Sequence, residues 1–79
     1  MNITIIINTV TTNGITVQVK QTDKVGDAKK KFYEKINSTK FNQWIYDADV
    51  LDDNSTFEQL KIGDKDEIIA NEASRGGLY

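Results

Sequence analysis

The chain reads as an α+β protein: one amphipathic helix packed on one face of a mixed β-sheet. Three observations predict this. β-branched residues alternate with period two near both ends of the chain. A single segment, Val25 to Ile36, carries apolar residues at spacings of three and four. Seventy-nine residues with 38% hydrophobic composition leave room for one core. A lone helix with one apolar stripe has to bury it against a sheet.

In the opening segment Ile3, Ile5 and Ile7 fall on one face and Asn2, Thr4, Ile6 and Asn8 on the other, which predicts a strand with its odd positions inward. Asn13-Gly14 tolerates positive φ and closes a hairpin within Thr9 to Gly14. Ile15, Val17 and Val19 then alternate with Thr16, Gln18 and Lys20, the cleanest strand pattern in the chain.

At Thr22-Asp23 the period changes, and either side chain is suited to cap a helix. Val25, Ala28, Phe32 and Ile36 form its apolar stripe, with Lys29, Lys30, Lys31, Glu34 and Lys35 around the remainder. Gly26 weakens the first turn by up to about 1 kcal/mol relative to alanine. Asn37 is placed to end the helix in a left-handed conformation.

Shorter pieces follow. Gln43 to Tyr46 is a strand with Trp44 and Ile45 on opposite faces, and Val50-Leu51 a brief second one. Asp52 to Ser55 is a polar turn. Thr56 caps a short helical turn carrying Phe57 and Leu60 inward, with Ile62 after it. Gly63-Asp64 turns the chain into a last strand, Glu67 to Asn71, with Ile68 and Ala70 inward. The apolar pattern stops after Glu72. The expected division is therefore a domain over 1–72 and a mobile tail over 73–79.

Ten basic against twelve acidic residues give a net charge of −2, which disfavours a nucleic-acid binder. The chain has no cysteine and no histidine, so disulfides, a thiolate nucleophile, a cysteine zinc site and the usual general base are excluded. Asp47-Ala48-Asp49 begins like a calcium loop, but Leu51 occupies the fifth position and no glycine the sixth. Asp52-Asp53 and Asp64 to Glu67 offer carboxylates without a cleft to dry them. The expectation is a binding protein without enzymatic activity, cofactor or metal. The apolar start stops after seven positions with no basic residue before it, so it is not a targeting signal, and no run approaches the roughly 20 apolar residues of a membrane span. Three Asn-x-Ser/Thr triplets, at Asn2, Asn37 and Asn54, read as chance in a chain rich in those residues. A monomer in the cytoplasm or nucleus is expected.

This element order, the Met1-x-Ile3 opening and Arg75-Gly76-Gly77 near the end together resemble the ubiquitin family over residues 1 to 77. Val25, Leu51, Ile62 and Ile68 fall where that family has core positions, and Thr56 where a threonine begins its short helical turn. Two residues are inserted in the first hairpin and one is deleted after the main helix. The resemblance implies the ubiquitin-like β-grasp, a mixed sheet wrapped around one main helix with a short second helical turn.

The resemblance also implies a function. A ubiquitin-like modifier is conjugated through its C-terminal carboxyl to amines of target proteins, after activation with ATP and passage through a thioester. Glycines suit this because an extended tail without Cβ atoms threads a narrow channel. Arg75, Gly76 and Gly77 are the conjugation candidates. Since Leu78 and Tyr79 follow, the implied form is a precursor or polyprotein unit cut after Gly77. The implied partners are activating and conjugating enzymes, a processing protease and domains of the ubiquitin-binding type. The tail departs from the family, reading Glu72-Ala73-Ser74 where a basic, leucine-rich stretch is usual, so a dedicated activating enzyme is implied.

For protein binding, Ile45 matches the central isoleucine of the family's apolar sheet patch. Ile69 takes the outward position of the last strand, and Ile6 is expected to neighbour it if the first and last strands pair. Asn71 replaces the expected valine. Asn42, Asp49 and Ala73 stand where the family has arginine or lysine, so partners that grip with acidic residues should bind poorly. Asp49 and Asp64 replace the two lysines most used for chains, whereas Lys29, Lys31 and Lys35 match lysines of the family on a solvated helix face. Two alternatives stay open: a non-conjugated ubiquitin-like interaction domain of a larger protein, and a sulfur carrier of the same fold.

Overall fold

A computed structural model describes residues 2–72. β1 (Asn2–Asn8) and β2 (Ile15–Lys20) pair antiparallel from Asn2↔Lys20 to Ile7↔Ile15, so the alternation read from the sequence becomes two faces of one ribbon. Ile3, Ile5, Ile7, Val17 and Val19 are buried on the inner face. The loop between the strands is organised by Thr9 rather than by Asn13: its hydroxyl oxygen accepts the N–H groups of Thr11 at 3.2 Å and Thr12 at 2.9 Å. Gly14 adopts φ 77° and donates its N–H to Asn8 Oδ1 at 2.7 Å.

α1 spans Val25–Ile36 and buries Val25, Ala28 and Phe32. Neither Thr22 nor Asp23 caps it. Asp23 instead accepts the Lys20 N–H at 2.9 Å, closing the turn out of β2. The first N–H groups of the helix are satisfied across the fold: Val25 donates to the Ser55 carbonyl at 2.9 Å and Gly26 to the Asp53 carbonyl at 3.0 Å. That approach explains the glycine, because a Cβ on residue 26 would stand 3.3 Å from the Asp53 oxygen. Asn37 ends the helix left-handed at φ 54°, ψ 45°.

β3 (Gln43–Tyr46) turns into β4, which is Asp49–Val50 rather than Val50-Leu51. Leu51 leaves the strand because its side chain is in the core, although its N–H still donates to the Trp44 carbonyl at 2.8 Å. Thr56 opens a helical turn through a reciprocal pair: its Oγ1 accepts the Gln59 N–H at 3.1 Å while Gln59 Oε1 accepts the Thr56 N–H at 2.9 Å. Phe57 and Ile62 are buried and Leu60 packs partly against the core.

β5 (Glu67–Asn71) enters the middle of the sheet, giving the order β2-β1-β5-β3-β4, parallel to β1 and antiparallel to β3. The sheet is mixed and carries the helix on its inner face. Trp44 stands edge-on to Phe32, 5.6 Å between ring centroids and 82° between planes, and donates its indole N–H to the Phe41 carbonyl at 3.2 Å.

Lys29 corrects the expectation of a uniformly solvated helix face. It is buried, donates to the Asn42 carbonyl at 2.6 Å and pairs with Asp53 Oδ1 at 2.6 Å. Its place on the helix, one residue past Ala28, tucks its stem under the segment leading into β3.

Candidate functional site

The outer face of the sheet collects the side chains that alternation directs away from the helix. Strand pairing sets Val50 opposite Ile45 and Ile45 opposite Ile69, and Asn8 follows Ile69 on β1. A row of three apolar residues thus crosses β4, β3 and β5. Val50 and Ile69 are 62% and 52% exposed, and Ile45 is half-buried between them. At the usual spacing of neighbouring strands this row spans about 10 Å.

Ile6 also lies on this face, half-buried, but it is not the direct neighbour of Ile69. Its partner on β5 is Glu67, and Ile69 sits one step along the diagonal, opposite Asn8. The cause is the register of the parallel β1–β5 pair, which period-two alternation cannot fix. Glu67 therefore shares the face with the isoleucines, and its Oε1 accepts an Asn8 Nδ2–H bond at 2.9 Å.

Two apolar members escaped sequence reasoning. Val50 carried a readable signal: once Leu51 is assigned to the core, its predecessor on a strand has to face outward. Val10, 86% exposed in the β1–β2 loop two residues beyond Asn8, carried none, because a loop has no period. Arg75, Gly76 and Gly77, the conjugation candidates, lie outside the described residues, as do Met1, Ala73, Leu78, Tyr79 and the whole expected tail over 73–79.

The lower edge of the face is held by Asp64 and Asp66. Asp64 Oδ1 accepts the Thr4 N–H at 2.7 Å, while Asp66 Oδ2 accepts the Gly63 N–H at 2.7 Å and the Tyr46 hydroxyl at 3.0 Å. The bond to Asp66 raises the Tyr46 phenol above its ordinary value, with burial and the Asp66 and Asp47 charges adding to it. These carboxylates serve the fold. Among the described residues no group of three or more Asp, Glu, His or Cys is placed to hold a metal ion, and no helix is long and apolar enough to cross a membrane. What the outer face offers chemically is apolar area around an oriented carboxylate, suited to burying another protein's side chains.

Comparison with known proteins agrees with this architecture. The sequence model of the Ubiquitin family matches residues 5–74. The crystal structure of the UBL domain of Plasmodium falciparum Dsk2 superposes with a TM-score of 0.82 at 18% identity, covering 92% of this chain and 100% of that one. At that identity the likeness is one of fold. No curated protein matches the chain.

Proposed function

The chain belongs to the ubiquitin family, and from that premise we propose that it acts as a protein-interaction domain through its outer sheet face, with Ile45, Ile69 and Ile6 as contact residues and Val50 extending them. The observation that carries this reading is the cross-strand row Val50–Ile45–Ile69. Ile69 and Val50 stay in water although the inner face of the same strands is closed. Apolar side chains aligned across three strands form one contiguous surface, which costs solubility unless a partner covers it. The naming of a solved structure of this fold as a domain of Dsk2 fits a unit that acts while joined to other sequence.

The test is partner recovery by the full chain carrying a photoreactive group on the outer face, compared with Ile45→Ala and Ile69→Ala. Cross-linked products that disappear in both variants, at unchanged melting temperature, support the reading. Products that persist in both refute it.

A second reading is favoured by Arg75-Gly76-Gly77: conjugation through Gly77 after removal of Leu78-Tyr79, which would engage a processing protease and activating and conjugating enzymes. Its test is the mass of the 79-residue chain after incubation with cell extract and ATP. Cleavage after Gly77 followed by adducts on lysines supports conjugation, and an intact C-terminus excludes it under those conditions. The two readings are compatible, because the sheet face does not depend on the tail.

A further inference from the structure

Resting on the sheet-face reading above, we infer that the partner of this face is cationic: an amphipathic helix whose apolar stripe is flanked by lysine or arginine.

The charge around the row is one-sided. Glu67 is the β5 partner of Ile6 and lies two residues before Ile69, so its carboxylate stands among the three isoleucines. The bond from Asn8 Nδ2 aims it and restricts its rotamers. At the other end Asp49 immediately precedes Val50 and is exposed, with Asp47 in the adjoining turn also exposed. The remaining neighbours on the face, Gln43, Asn71, Asn8 and Thr16, are uncharged.

Cations are gathered elsewhere. Lys24, Lys30, Lys31 and Lys35 are exposed at or on the helix, which packs on the opposite side of the sheet. Lys20 sits opposite Asn2 at the far end of β1. Lys65 is held at Thr4, where Asp64 is bound as well. The net charge of −2 is thus spread unevenly, and the outer face presents its anionic part.

A partner with acidic flanks would bring carboxylates against Glu67 and Asp49 in a contact that excludes water, where like charges repel most strongly. Basic flanks gain attraction from both and are steered toward the face before contact. A helix suits the row because residues at i and i+4 lie about 5–6 Å apart, close to the distance of about 4.8 Å between neighbouring strands. Three successive stripe positions can then meet Val50, Ile45 and Ile69.

The experiment titrates two synthetic helical peptides into the isotopically labelled full chain. Both carry the same leucine stripe, one with lysine and arginine flanks, the other with glutamate flanks. The lysine-flanked peptide is expected to shift the amide signals of Ile45, Val50 and Ile69 and to bind about fivefold to tenfold more tightly, the gap shrinking as salt rises. Glu67→Gln should narrow the preference, and Asp49→Lys combined with Glu67→Lys should reverse it. Equal binding of the two peptides, or a preference that the charge variants do not move, overturns the inference and leaves the sheet-face reading in place. Failure of both peptides to shift the face overturns that reading and the inference with it.

Discussion

Lys29 and Asp53 meet at 2.6 Å across the joint between α1 and the loop whose carbonyls satisfy the helix's first turn. The ammonium is nearly enclosed, at 9% side-chain exposure, while the carboxylate is 58% exposed. The same Nζ donates to the Asn42 carbonyl. One lysine therefore ties helix, loop and the approach to β3.

Removing this lysine should cost more than removing its partner. Lys29→Ala leaves a carbonyl without its donor and a void along the stem, a loss of about 1–3 kcal/mol. Asp53→Ala keeps the Asn42 bond, and its exposed carboxylate contributes about 1 kcal/mol or less. Chemical denaturation of the two variants checks the order. Acylation with a soluble anhydride should also label Lys29 more slowly than exposed Lys30, read by mass spectrometry.

The β3–β4 turn holds Asp47 at φ 54° and Ala48 at φ 70°. Both central residues of the hairpin are left-handed, a conformation that costs alanine about 1–2 kcal/mol and glycine little. Ala48→Gly also loosens the unfolded chain, which offsets part of the gain. The expected outcome is a net stabilisation of up to about 1 kcal/mol, with Ala48→Val destabilising. Thermal melts of both variants read the sign.

Neighbouring residues on β5 separate core from surface. Ile68 is fully buried and Ile69 half in water. Ile68→Ala should cost about 2–5 kcal/mol, whereas Ile69→Ala and Ile45→Ala should change stability by about 1 kcal/mol or less. Unfolding by Ile45→Ala would place that residue in the core and defeat the proposed contact surface.

Alkaline stability should depend on Tyr46. Its neutral hydroxyl donates to Asp66, so its folded value is raised above the ordinary 10.0. For a group raised on folding, the contribution is complete below the unfolded value and is lost as pH climbs through the folded one. Melting temperature should therefore fall above about pH 10. Tyr46→Phe should reduce that fall without abolishing it, because Tyr33 is raised too, first by burial and then by Asp53. A melting curve in which the variant and the parent lose stability equally across that range would refute the assignment.

The sequence by itself determined the elements and most of their inward faces. Ile3, Ile5 and Ile7, the stripe Val25-Ala28-Phe32, the left-handed stop at Asn37 and the outward turn of Ile69 all follow from periods and caps that act over a few residues. Of the candidate site, the direction in which Ile45, Ile69 and Ile6 face was legible for the same reason. Only the tertiary structure decided which strands adjoin. Pairing joins residues such as Asn8 and Ile69 that lie far apart in the chain, and sliding one strand by a residue leaves its local pattern unchanged. It was this register that aligned Val50, Ile45 and Ile69, moved Ile6 to the diagonal and set Glu67 among them. The helix cap escaped local reading likewise, since its acceptors are the carbonyls of Asp53 and Ser55, a loop more than twenty-five residues further on that packing alone brings to the first turn.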